Sequence, residues 1–86
     1  MPEISRFYGI IIRMYYDDHN PPQFHALYGD DEAWVNINTL AIFSVSLPSR
    51  ALGMVIEWAS MHQDELRRDW ELARKQQKPE NIKPLK

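Results

Sequence analysis

Arg13, Tyr15 and His25 are the residues whose types and positions offer chemistry. A guanidinium grips a phosphate or carboxylate through paired N–H donors, and an imidazole exchanges a proton near neutral pH. A phenol adds one more donor. Side chains alternate along a strand, so Arg13 and Tyr15 share a face, and His25 on a neighbouring strand can join them. These are the parts of a small metal-independent ribonuclease. The same residues also suit a role without chemistry, an aromatic surface on which Arg13 stacks against Tyr15 or Trp34.

His19 and His25 flank the diproline Pro21-Pro22, with Asp17 and Asp18 nearby in the loop Asp17-Asp18-His19-Asn20-Pro21-Pro22. Two imidazoles and a carboxylate are zinc-type ligands. Their spacing follows no recognised zinc pattern and the chain has no cysteine, so neither a metal nor a cofactor is assigned. His62 falls beside an apolar helical stripe and reads as a boundary histidine. Asp30-Asp31-Glu32 reads as a solvated hairpin tip, because a calcium loop needs more oxygens at fixed spacing. No phosphate-binding glycine loop and no nucleophile elbow occurs.

The elements that position these residues follow from pattern. Residues 6–16 (RFYGIIIRMYY) are β-branched and aromatic and predict one strand. The diproline loop follows, then strands over 24–28, 33–37 and 40–47, separated by Gly29-Asp30-Asp31 and Asn38-Thr39. Pro48 and Ser49 open a helix. From Arg50 to about Gln76, Leu52, Val55, Ile56, Ala59, Leu66, Trp70 and Ala73 keep three- and four-residue steps. The expectation is an α+β fold, an antiparallel meander of about four strands and one long C-terminal helix packed on one face. A helix of that length overhangs a domain this small, so a break near His62 to Asp64 is the alternative. Residues 1–78 form the single domain, and 79–86 are expected as a flexible tail.

With 86 residues, 44% hydrophobic and 12% aromatic, the chain is one folded domain. Its formal net charge of −2 argues against non-specific nucleic-acid binding, although basic residues gather in the last quarter. Absent cysteines and an N-terminus without a signal-like apolar stretch point to the cytoplasm. The longest aliphatic run, Ile10-Ile11-Ile12, is far too short for a membrane span.

One sheet face can pack on the helix. Alternation leaves Phe7, Ile11, Tyr15, Leu27 and Trp34 on the other. One covering element cannot serve both faces, so this set predicts a surface for a protein partner or a homodimer. The alternative is a bulged or curled sheet that hides these residues within the chain.

Finally, three stretches carry a resemblance: Ile4-Ser5-Arg6-Phe7-Tyr8-Gly9-Ile10 with Ile12-Arg13-Met14-Tyr15; Asp18-His19-Asn20-Pro21-Pro22-Gln23-Phe24-His25-Ala26; and Leu47-Pro48, Arg50-Ala51-Leu52, Glu57-Trp58-Ala59 and His62-Gln63. Over about residues 2–74 the chain resembles the short bacterial proteins catalogued as domain of unknown function 4160. The resemblance implies a bacterial cytoplasmic protein, one half of a two-gene cassette of toxin–antitoxin type, and it brings no activity. In that family the loop usually reads His-Asn-Pro-Pro-His-Phe-His. Here Gln23 takes the place of the middle histidine, which removes one ligand from any three-histidine site.

Overall fold

The computed structural model describes residues 2–16 and 19–86, apart from the side chains of Ser44 and Val45. Asp17 and Asp18 of the expected loop lie outside the described residues. The elements are β1 (Glu3–Phe7), β2 (Ile10–Arg13), β3 (Gln23–Tyr28), β4 (Asp31–Asn36), β5 (Ile42–Val45), α1 (Ser49–Met61) and α2 (Gln63–Arg74). Every neighbouring pair of strands is antiparallel, in the order β1-β2-β3-β4-β5. The class and the meander are as expected, with five strands in place of four and two helices in place of one among the described residues.

The additional strand comes from a turn inside the stretch expected to be continuous. Tyr8 and Gly9 have φ of 50° and 81°, and Phe7 pairs with Ile10 across them. Two successive positive φ values make a two-residue hairpin whose twist matches its strands. Glycine adopts that conformation freely, and a Cβ on Gly9 would press against the Tyr28 ring at 3.2 Å. The tyrosine at φ 50° gave no warning in the pattern. The turn also changes the faces. Cross-strand partners point the same way, so Phe7 sides with Ile10 and not with Ile11.

Phe7 is accordingly in the core, 5.5 Å from the Trp58 ring, and is withdrawn from the expected partner surface. Phe24 meets the same indole edge-on at 5.8 Å. Ile10, Ile12, Ala26 and Val35 complete that face of the sheet, and α1 covers it with Ala51, Val55, Trp58 and Ala59. Burying each large apolar side chain contributes roughly 1.5–3 kcal/mol.

The expected single helix breaks at His62, whose φ and ψ of −130° and 25° are not helical. An unbroken helix over both segments would run about 40 Å, longer than the molecule's largest extent of 33 Å. After the break α2 starts afresh, with Asp64 and Glu65 in its first turn and Arg74 in its last, each suited to the helix dipole. His62 Nδ1 lies 2.6 Å from Glu65 Oε1. Gln63 Nε2 donates to the carbonyls of Ile37 and Asn38, tying the new helix to the end of β4.

Residues 79–86, expected as a flexible tail, are instead pinned as a strap along β1. The Ile82 amide donates to the Ile4 carbonyl at 2.7 Å. Trp58 Nε1 donates to the Lys83 carbonyl at 2.7 Å, and Ile82 is buried. The Glu80 amide donates to Asp69 Oδ1 at 2.9 Å. Asp69 itself is buried, and its Oδ2 has no hydrogen-bond partner among the described residues. Burial pushes its carboxyl up to about 6 from an ordinary 3.8; the Glu80 amide and Arg68 work against that rise, while the Glu80 and Glu65 carboxylates add to it.

Candidate functional site

The face of the sheet away from the helices carries a transverse row. Arg13 on β2 pairs with His25 on β3, and His25 pairs with Trp34 on β4. The next row holds Ile11, Leu27 and Glu32. Thus two of the three residues singled out for chemistry, Arg13 and His25, are direct cross-strand partners. Tyr15, just past β2, sets its ring edge-on to the imidazole at 4.3 Å and 85°.

Glu32 organises the group. Its Oε2 lies 2.8 Å from His25 Nδ1 and accepts the Trp34 indole N–H at 2.8 Å. The hydrogen bond to His25 holds the Glu32 carboxyl below its ordinary range; partial burial opposes this, and the Trp34 bond and the positive charge of Arg13 assist. The His25 and Trp34 rings sit 5.1 Å apart and tilted. The imidazole is therefore closed in by Tyr15, Trp34 and Glu32, and His25 is only 6% exposed. Trp34 remains 41% exposed.

Ile11, Tyr15 and Leu27 are half-buried beside this row. Of the expected partner surface, then, Ile11, Tyr15, Leu27 and Trp34 are together and Phe7 is not. On the loop, His19, Asn20 and Pro21 are exposed, Pro22 is half-buried, and Gln23 Nε2 donates to the His19 carbonyl at 3.1 Å. His25, the last residue of the loop motif, belongs to the sheet and not to the loop. Among the described residues no three His, Asp or Glu side chains are placed to hold a metal. The boundary histidine, His62, packs its ring 5.5 Å from Trp58, away from this face.

Glu32 is the functional candidate that pattern reading missed. It was placed in a hairpin tip, but β4 begins at Asp31. The signal was present as a two-residue step: Glu32 and Trp34 alternate onto one face.

Chemically, the row offers a rigid aromatic surface with one guanidinium at its margin. Arg13 Nε is buried without a hydrogen-bond partner among the described residues. The His25–Glu32 pair has the contact distance of a proton-transfer dyad, yet its imidazole opens little to solvent. No described helix is long and apolar enough to cross a membrane.

No curated protein and no solved structure matches the chain. The family described as Domain of unknown function (DUF4160) matches residues 9–71, from the β1–β2 turn through most of α2. The row of Arg13, His25 and Trp34 falls inside that match, β1 and the strap fall outside it, and the chain belongs to this family.

Proposed function

We propose that the protein is an interaction module, one component of a small toxin–antitoxin-like gene pair, and that it receives its protein partner on the open sheet face around Trp34. One observation carries the reading: Trp34 is 41% exposed while its indole N–H is fixed to the carboxylate oxygen that also meets His25. An exposed aromatic whose ring is already oriented loses little entropy on binding, which is the property of an interface anchor. Ile11 and Leu27 supply the flanking apolar area. The gene-pair part of the proposal rests on family membership alone.

The test is recovery of a partner from the native host. A single protein should co-purify in fixed ratio with the wild type and be lost from Trp34→Glu, which should still unfold cooperatively, at a slightly lower melting temperature because it gives up the indole bond to Glu32. Equal recovery by both chains, or none by either, refutes the reading.

The second reading is a small metal-independent ribonuclease using Arg13, Tyr15 and His25, and the 2.8 Å His25–Glu32 contact is the observation in its favour. It requires RNA cleavage that His25→Ala abolishes. No cleavage at high protein concentration removes it.

A further inference from the structure

The sheet has two edges, and among the described residues the chain covers only one. At β1 the strap supplies a backbone donor to Ile4, and the strand carries the ion pair of Glu3 and Arg6 at 2.7 Å. At β5 neither device occurs among the described residues. No charged residue stands between Glu32 and Arg50 in the sequence, and no proline lies within β5. The turn and loop hydrogen bonds around β5, from Asn36 to Ala41 and from Ser46 to Glu32, run back towards β4. Ile42 and Phe43 are 38% and 46% exposed, beside the exposed Trp34.

An edge strand presents a row of backbone donors and acceptors, and natural sheets guard it with charge, proline, a bulge or a cover. Among the described residues β5 has a short length of four residues and the bulge, a register shift opposite Trp34 and Val35, but neither charge nor cover. The bulge adds twist but no repulsion. A row of alternating donors and acceptors is completed by another extended backbone. The strap is already committed to β1, so that backbone must come from a second molecule.

We propose that β5 pairs antiparallel with β5 of a second copy across a twofold axis, joining two five-stranded sheets into one of ten. Neutrality decides the occupant. A strand placed against its own copy meets like charges wherever it is charged, and this one has none. It also offers no charge by which a different partner would be chosen. Twofold pairing buries Ile42 and Phe43 of both copies at once. The inference stands apart from the partner surface around Trp34, which lies on the face and not on the edge.

The experiment is sedimentation of the purified chain alone across a concentration series. The wild type should run at twice the chain mass of 10.2 kDa. Phe43→Lys and Phe43→Glu should each run as monomers, and an equimolar mixture of the two should recover the dimer. Hydrogen exchange on the wild type gives a reading that needs no variant: β5 amides should gain protection as concentration rises, while amides of β3 do not change. A wild type that stays monomeric to about 100 μM overturns the proposal. So does a dimer that survives both Phe43 variants, or one broken by Trp34→Glu instead.

Discussion

At the β1 edge the chain completes its own sheet; at the β5 edge it stops. β1 is sealed by contributions from well-separated places: the Ile82 amide, the Lys83 carbonyl held by Trp58, and Asp69 holding Glu80. β5 has four residues, a bulge and two exposed apolar side chains. The difference teaches that strand propensity says nothing about edge protection. Protection at β1 comes from a segment with two prolines and no strand signal, and its absence at β5 coincides with the apolar run Leu40-Ala41-Ile42-Phe43.

The comparison is broken most severely from the core. Trp58 packs on Phe7 and Phe24 and also holds the strap. Trp58→Ala should lose about 3–5 kcal/mol in urea unfolding, and β1 amides should lose their exchange protection along with it. Removing residues 79–86 is the next largest change. The burial of Ile82 and two backbone-carbonyl hydrogen bonds go with it, for a loss of roughly 2–4 kcal/mol. The shortened chain should then associate through both edges, forming species larger than a dimer in light scattering. If it remains no larger than the full chain, the strap has no guarding role.

How much of this was legible beforehand depends on the kind of signal. Helical spacing from Leu52 to Ala73 was clear, because the periodic apolar residues are those that face the sheet. The alternation on β3 and β4 was equally clear. The hairpin at Tyr8 and Gly9 was not, since a tyrosine in the left-handed region looks like a strand residue, and missing it put Phe7 on the wrong face. The strap was hidden because its hydrogen bonds depend on which edge lies nearby, which is a tertiary fact. The candidate group was readable but for one member: types and faces gave Arg13, Tyr15, His25 and Trp34, while Glu32 was lost to a misplaced strand boundary.

Two smaller effects sharpen the comparison. Asp69 has a raised carboxyl, so the folded chain holds its proton more tightly than the unfolded one. Stability from this group therefore falls as pH rises from about 4 to about 6, and the ionised carboxylate is a burden at neutrality. Asp69→Asn keeps an acceptor for the Glu80 amide. It should gain about 1–2 kcal/mol at pH 7 and flatten the stability–pH curve between pH 4 and 6 in chemical denaturation. Glu32 has the opposite sign. Its lowered carboxyl contributes stability that is present above its ordinary value of 4.5 and lost as pH falls through the folded value. The side chain is 41% exposed, so Glu32→Gln should cost less than about 1 kcal/mol at pH 7. Its clearer readout is Trp34, whose fluorescence should become more mobile on loss of the charged anchor.

The contact between Ile4 and Ile82 joins positions separated by nearly the whole chain. Pairings of that sequence distance form late, after the local hairpins and helices have condensed. During synthesis β1 emerges early and must wait for residue 82 before it is sealed, so the nascent chain passes through a period with both margins of its sheet bare. A holding chaperone, or slow release from the ribosome, has most to act upon in that interval.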